Sequence, residues 1–374
     1  MTDQMHIVIT GADGFIGQHL MVRLRESGRG AVRGITRSTS AADRDERLAA
    51  ADVVVHLAGV NRPTDSSEFD TGNAGSTAAL CADLRRLRRQ IPVIYSSSVQ
   101  ADQDNPYGRS KRAAEQHLMA YAAETGAHVA YFRFCNVFGK WARPDYNSAV
   151  ATFCHNVSRG LPITVHDASA PLWLLYIDDA VAAIERLLSE GIPHSGEYAA
   201  GPIYETTVGA VAESIQAFSS GRKNGTFGNV GSGLARALYA TYVSYLPADA
   251  FSYPIQQHED ARGVFAEFLR TPNAGQISYF TAHPGITRGG HYHHTKTEKF
   301  LVVQGRARFG FRHVVTGERR FLEVTSAAPT VVDTVPGWVH DITNIGGEQL
   351  IVLLWANEAF DPTHPDTIAM GVAE

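Results

Sequence analysis

The hydrophobic pattern of this chain changes period near residue 247. From the start to about Tyr245, short apolar runs alternate with stretches whose apolar residues recur every three to four positions. HIVIT (6–10) reads as a buried strand, and the next segment places Ile16, Leu20 and Leu24 on one helical face before Gly28 stops it. AVRGIT, DVVVHLAG, VIYSSS and HVAYFRF repeat the strand signal, with helical segments between most of them. This alternation predicts a parallel sheet covered on both faces. Only about fifteen residues separate ITR from DVVVHLAG, so the usual third strand is expected to be short or missing. The last helical piece, GLARALYATYVSYL, ends before Pro247.

Beyond that point the helical period disappears. VFAEFLR, QISYFTA, KFLVVQG, ARFGFRH, RRFLEV, TVVDTV and QLIVLLWA follow at short intervals, separated by Gly, Pro, Asn and Thr turns. Many short strands with turn punctuation predict an antiparallel barrel or jelly roll. ADAFSYPIQQHED reads as the linker, which divides the chain into residues 1–246 and 247–374. A chain of 374 residues exceeds the usual ceiling for one hydrophobic core, in agreement with two domains.

Composition narrows the class without naming it. The chain is 44% hydrophobic and 19% charged, as ordinary soluble proteins are. A net charge of −5 gives no reason to expect nucleic acid or an acidic membrane surface as a partner. Cys81, Cys135 and Cys154 lie far apart without CxxC spacing and read as reduced thiols. MTDQMHIVIT lacks a basic segment followed by an apolar one, and no apolar stretch reaches the roughly 18 residues of a membrane span. A cytoplasmic location is the expectation.

The first chemistry lies in GADGFIG. Gly11, Gly14 and Gly17, with Phe15 and Ile16 between the last two, sit between a strand and a helix. Small residues let the backbone approach a pyrophosphate, and the helix N-terminus offers unpaired N–H groups and a favourable dipole. A glycine triplet alone is weak, but its place directly after the first strand strengthens it. The second strand ends in GITRSTS, where Arg37, flanked by Ser38, stands in place of an acidic residue. A guanidinium suits a ribose 2′-phosphate, so NADPH is expected over NADH.

Further on, YSSSVQADQDNPYGRSK places Ser96–Ser98 at a strand end and Tyr107 four residues before Lys111 on a helix. That spacing sets phenol and ammonium on one face. A nearby cation stabilises phenolate and lowers a pKa that is ordinarily about 10. A serine hydroxyl can then hold a carbonyl oxygen while hydride moves to carbon. YxxxK occurs often by chance, but it is far more specific behind this glycine motif and serine strand end.

Together these residues resemble the extended short-chain dehydrogenase/reductase family, which works largely on nucleotide sugars. The resemblance runs from Met1 to about Tyr245 and includes HLAG (56–59), Asn73, RFCNVFG (133–139) and YIDDAV (176–181). It implies that Leu57, Ala58 and Gly59 line the cofactor, that Ser98 orients the carbonyl with Ser97 as competitor, and that Asn136 meets the substrate. The family often carries an arginine before the Asp-Asp pair. PLWLLYIDD has none, so Arg143 or Arg159 is expected to serve the nucleotide.

The second chemistry is RGGHYHHTKTEKF (288–300). On a strand His291 and His293 face one side, Glu298 can join them after a turn through HTKT, and His340 follows the Pro336–Gly337 turn. Imidazoles with a carboxylate suit zinc, iron, manganese or nickel. A lone His-x-His is weak evidence, since such a pair can simply be packed. The series GG-HYH, Glu298, Gly305, then PG-xx-H with Asn344 resembles the two cupin motifs. His294 and Tyr292 should face away. HEDARGVFAEF (258–268) resembles the entry strand of cupin-fold sugar-nucleotide epimerases, which implies substrate contacts from Arg262 and Glu267.

The expected architecture is therefore an α/β Rossmann-type parallel sheet domain followed by an all-β cupin (double-stranded β-helix) domain. This order resembles the bifunctional enzymes of capsular and O-antigen polysaccharide assembly that lead towards UDP-N-acetyl-L-fucosamine. The resemblance implies a UDP-2-acetamido-2,6-dideoxy-4-hexulose substrate, C3 inversion in a metal cupin holding zinc, and NADPH-dependent reduction at C4 to the β-L-talose sugar. Lys296, Lys299 or a cluster histidine is the expected epimerising base, and a homodimer the expected assembly. A ketoreductase with a non-catalytic cupin used for dimerisation, or an NADP-binding regulatory protein, are the alternatives.

Overall fold

Five of the N-terminal apolar runs become parallel strands of a single sheet in the computed structural model of this chain. The structure describes residues 5–255, 258–260, 263–265, 269, 275–358 and 363–373, with backbone alone at 258–260, 263–265 and 276. The chain divides into two compact units. One comprises Met1–Phe138, Tyr146–Ser148 and Leu172–Glu205; the other comprises Gly139–Asp145, Ala149–Pro171 and Thr206–Glu374.

In the first unit β1 (His6–Thr10), α1 (Phe15–Glu26), β2 (Ala31–Ile35), α2 (Ala41–Ala50) and β3 (Val53–His56) come first. They are followed by α3 (Ser76–Arg86), β4 (Val93–Ser98), α4 (Pro106–Thr125), β5 (Val129–Phe134) and β6 (Asn136–Phe138). The main sheet runs β2-β1-β3-β4-β5 and gains a sixth strand, β8, at the β5 edge. Every pairing in it is parallel. Because α2 leads straight into β3, β2 is the edge strand, which explains the short gap between ITR and DVVVHLAG. Val54, Val93, Tyr95 and Val129 on one face pack with Leu80, Leu84, Leu118 and Tyr121 of α3 and α4. The ends of α4 are set by chemistry: Asn105 caps the Gly108 N–H at 2.8 Å, Pro106 occupies the first turn, and Gly126 takes φ 77° at the exit.

α5 (Ala149–Ser158) belongs to the second unit, whereas β7 (Pro171–Tyr176), α6 (Ile177–Glu190) and β8 (Gly196–Glu197) lie almost wholly in the first. β9 (Ile203–Thr207) leads into α7 (Val208–Asn224) and α8 (Gly233–Ser244). Asp178 and Asp179 lie in the first turn of α6, where the N-terminal dipole favours negative charge.

From residue 252 onward the described elements are all strands: β10 (Ser252–Pro254), β11 (His258–Asp260), β12 (Gly263–Phe265), β13 (Gln276–Ala282), β14 (Thr287–Tyr292), β15 (Glu298–Gln304), β16 (Arg306–His313), β17 (Arg319–Thr325), β18 (Thr330–Asp333), β19 (Trp338–Asn344), β20 (Leu350–Ala356) and β21 (Ile368–Ala369). Two five-stranded sheets form, β10-β18-β15-β20-β13 and β17-β16-β19-β14-β21, and their pairings are antiparallel. The linker expectation is corrected here. Within ADAFSYPIQQHED, Ser252–Pro254 pairs with β18, and Phe251 is buried edge-on against Phe311 and Trp338. An aromatic residue in a polar context reads as linker in sequence, yet its burial supplies the energy that draws this segment into the sheet.

The second unit also carries helical residues that the 246/247 division assigns to the first domain. Arg222 of α7 pairs with buried Asp333 of β18, which Lys299 Nζ also contacts at 2.5 Å. Phe227 and Tyr253 present ring faces to the Lys299 ammonium at 4.5 and 5.2 Å.

Candidate functional site

The strand-to-helix turn after β1 is built for close approach. Gly11 takes φ 67°, and a Cβ there would stand 2.7 Å from Ala58 N. A Cβ at Gly17 would lie 2.2 Å from Gly11 O, so α1 can start this close to the strand only without side chains. The turn therefore faces the Leu57–Ala58 backbone, and Phe15 and Ile16 open the helix behind its N-cap, Gly14. Arg37 is exposed just past the end of β2. Gly59 lies under Asn73, whose side chain bonds Val60 N–H and C=O at 2.8 and 2.9 Å and Ser110 Oγ at 2.9 Å. One buried amide thus ties the HLAG loop to α4.

At the end of β4 the structure separates the two competing serines. Ser97 is buried and bonded to Glu115, which in turn holds Arg133 at 2.8 and 3.0 Å. Ser98 hydrogen-bonds with Tyr107 instead. Lys111, one helical turn on, donates to Ser96 O at 2.7 Å and lies over the Tyr95 ring at 4.7 Å. The expected lowering of the phenol is not found in this arrangement. Burial pushes Tyr107 above its ordinary value, with the Ser98 bond acting the other way. Lys111 itself is pushed down to about 8 by burial, against an upward pull from Glu115.

Beside these groups, at the ends of β4 and β5, a cavity of about 450 Å³ is lined by residues including Val99, Phe134, Asn136, Trp173, Tyr198 and Ile203. Asn136 lies on its wall and donates to Trp173 O at 3.1 Å. Arg143 is exposed in the 139–145 segment of the other unit. Arg159 donates to His155 O and Tyr245 O at 3.2 and 2.9 Å, so part of its guanidinium is already committed. Arg262 and Glu267 lie outside the described residues.

The four proposed ligands in the barrel do converge. One ligand atom from each of His291, His293, Glu298 and His340 lies within 4.8 Å of the others. His291 faces His340 in register across β14 and β19, while Glu298 arrives from the opposite sheet at the start of β15. Glu298 Oε2 lies 3.2 Å from His293 Nε2 and 3.4 Å from His340 Nε2. Burial, then the charges of His340 and His293, push His291 down to about 3, and burial lowers His340 as well. Burial alone would raise Glu298, but the imidazoles of His293 and His340 beside it hold it well below the carboxylate range. Buried His340 has neither ring nitrogen in hydrogen-bond geometry. Three converging imidazoles, a carboxylate held ionised and an orphaned buried nitrogen make a donor set that fits a divalent metal.

Three further positions were not legible as drawn. Lys299 faces away from the cluster, into its pocket with Asp333, Tyr253 and Phe227, because strand alternation puts it opposite Glu298. Lys296 stays, with Nζ 3.4 Å from Glu298 Oε1. Arg288 was missed. A register irregularity between Gly289 and His291, both glycines there having positive φ, pairs Arg288 with Ile342 and brings it onto the His291 face. Its guanidinium covers Phe280 at 5.2 Å. The double glycine before the first histidine was the available signal. Tyr292 and His294 meet edge to face, and Tyr292 packs with Val339 and Val372, as expected for the outer face.

Residues 7–201 match the family model described as the NAD dependent epimerase/dehydratase family, and residues 258–368 match the polysaccharide biosynthesis C-terminal domain. The UDP-2-acetamido-2,6-beta-L-arabino-hexul-4-ose reductase of Pseudomonas aeruginosa is 49% identical over 99% of this chain and all of its own length. The capsular polysaccharide assembling protein CapF from Staphylococcus aureus has a crystal structure that is 40% identical. It covers 98% of this chain and 100% of its own, with a TM-score of 0.67. MoeE5 in complex with UDP-glucuronic acid and NAD is 25% identical, covering 57% of this chain and 82% of its own at a TM-score of 0.51. The first unit's glycine turn and Ser-Tyr-Lys set, followed by a strand barrel and matched end to end by such relatives, establish that the chain belongs to the NAD dependent epimerase/dehydratase family, in the group that carries a polysaccharide biosynthesis C-terminal domain.

Proposed function

We propose that this chain is a bifunctional nucleotide-sugar enzyme of capsular polysaccharide assembly. It would invert C3 of a UDP-2-acetamido-2,6-dideoxy-4-hexulose in the barrel and then reduce the C4 ketone, giving UDP-2-acetamido-2,6-dideoxy-β-L-talose. Family membership implies a nicotinamide cofactor, and the relative named as a hexul-4-ose reductase supports the substrate class. The observation that carries the two-site reading is the buried convergence of His291, His293, Glu298 and His340, in addition to the Ser98–Tyr107 pair.

In reduction the nicotinamide, NADPH by the Arg37 reading, supplies hydride. Gly11, Gly14, Phe15, Ile16 and Gly17 would hold its pyrophosphate, with Leu57, Ala58 and Gly59 along its side. Ser98 orients the carbonyl oxygen, and Tyr107 gives it a proton as the alkoxide forms. The raised phenol pKa keeps Tyr107 protonated, which is the form that reduction consumes. Lys111 provides the positive charge that steadies the phenolate left behind. Asn136, on the cavity wall, and Arg143 would meet the substrate here, and Arg262 would meet it in the barrel.

In the barrel His291, His293, Glu298 and His340 would hold a divalent metal, zinc by its ligand chemistry, which polarises a carbonyl oxygen and so eases loss of the adjacent proton. Lys296, beside Glu298, is the proton carrier the geometry favours, and Arg288 is the cation for the diphosphate on the same face. A homodimer, as the resemblance implies, is testable by sedimentation.

The relative's name records reduction alone, which favours one rival: a ketoreductase with a structural barrel. The test is product analysis by mass spectrometry and NMR after incubation with the UDP-linked 4-keto hexosamine and NADPH. A C3-inverted, C4-reduced sugar supports the proposal; a reduced sugar with C3 unchanged supports the rival.

A further inference from the structure

The loop between the ligand strands, which carries His293, is held in its middle by a distant side chain. Between β14 and β15 the segment 293–297 leaves the strands, and the consecutive N–H groups of His294, Thr295 and Lys296 point inward from buried or half-buried residues. Buried N–H groups must find acceptors, and a run of them forms a concavity suited to an anion. One side chain, seventy positions on, fills it. Asp366 Oδ1 accepts from His294 N at 2.8 Å, while Oδ2 accepts from Thr295 N at 2.6 Å, Lys296 N at 2.8 Å and Thr295 Oγ1 at 3.0 Å.

The same residue also touches a ligand. The main-chain oxygen of Asp366 bonds to His293 Nδ1. That bond places the proton on Nδ1 and turns Nε2, 3.2 Å from Glu298 Oε2, towards the cluster. The chain beyond Asp366 then joins the ligand strand, with Ile368 opposite Tyr292, Ala369 opposite His291, and Met370 N donating to Gly290 O at 3.0 Å.

We infer that Asp366 is the positioning residue of the metal site, a clasp from the C-terminal segment that shapes the 293–297 loop and fixes the tautomer of His293. The inference rests on the metal-binding reading above. Its physical content is that one carboxylate accepts from all three of these N–H groups. Removing the carboxylate takes this acceptor from all three at once and loosens the turn that brings His293 and Glu298 to one point. The outer partners of ligating histidines typically affect metal affinity by about 10–100-fold.

The test uses the full chain as wild type, Asp366→Ala and Asp366→Asn. Zinc affinity is measured by competition with a chromophoric chelator, and the visible spectrum is recorded with cobalt in place of zinc. Asp366→Ala should bind zinc about 10–100-fold more weakly, with altered cobalt bands, and Asp366→Asn should fall between it and wild type. Wild-type affinity and an unchanged cobalt spectrum in both variants would overturn the inference. Should circular dichroism show the alanine variant unfolded, the isosteric asparagine variant decides by the same two readouts. A wild-type chain that binds neither metal defeats the metal reading itself and this inference with it.

Discussion

Replacing Asp333 with asparagine should destabilise the second unit more than any other single change to its buried charges. Lys299, Asp333 and Arg222 are 1%, 2% and 9% exposed, so Asp333 is shared away from water between the Arg222 guanidinium and a lysine that burial and Arg222 push well below its ordinary pKa. Lys299 Nζ lies 2.5 Å from Asp333 Oδ1, Arg222 pairs with Oδ2, and Tyr253 OH and the Phe227 face complete the lysine's surroundings. Asp333→Asn removes the carboxylate that both side chains contact and leaves the Arg222 guanidinium buried without it. Breaking a buried pair in this way costs about 3–5 kcal/mol. At roughly 2–4 °C per kcal/mol for a domain of this size, the unit's transition should fall by about 6–20 °C. Lys299→Met leaves an Arg–Asp pair of zero net charge and should cost far less. The assay is scanning calorimetry with each transition fitted separately, because two units need not melt together. A loss under about 1 kcal/mol for Asp333→Asn, or a larger loss for Lys299→Met, would refute the argument from buried net charge.

Other outcomes follow from the first unit. Tyr107→Phe should lower the rate of ketone reduction by about 10²–10⁴-fold while leaving proton exchange at C3 intact, as followed by NADPH oxidation and by NMR. With Lys111 pushed down to about 8 by burial, its charge is lost as pH rises through that value, so kcat/KM for reduction should decline above about pH 8. Glu115→Gln removes the upward pull on Lys111 and should move this decline to lower pH; an unmoved profile would assign it to another group. Arg37→Glu should cut the NADPH-over-NADH preference by about 10–100-fold, the value of a charge-assisted contact to phosphate, as read from kcat/KM for each cofactor.

What could be read from the sequence was whatever rests on local periodicity. The β1 run, the GADGFIG turn, the YxxxK face and the alternation that pairs His291 with His293 are all properties of neighbours along the chain. The missing strand after β2 was legible for the same reason, since fifteen residues cannot hold both a helix and a further strand. What stayed hidden depends on residues far apart. Ser97 and Ser98 could not be told apart until Glu115, eighteen positions on, claimed Ser97. Lys299 was read as a candidate base because only strand register, not spacing from the histidines, shows that it faces Asp333. The Gly289–Gly290 irregularity hid Arg288 by reversing the face of the residue before it. Phe251 and Tyr253 looked like linker because an edge strand of three residues has too few alternations to be seen.

The central claim is that one chain holds two sites acting in sequence on one sugar. Its most direct test is NMR in D2O with the UDP-linked 4-keto hexosamine, with and without NADPH, on wild type and His340→Ala. The account predicts deuterium at C3 of the wild-type product without NADPH, and a reduced sugar once NADPH is added. It predicts no exchange in His340→Ala. Reduction by wild type with no deuterium at C3 would contradict it, leaving a ketoreductase whose histidine cluster serves structure alone.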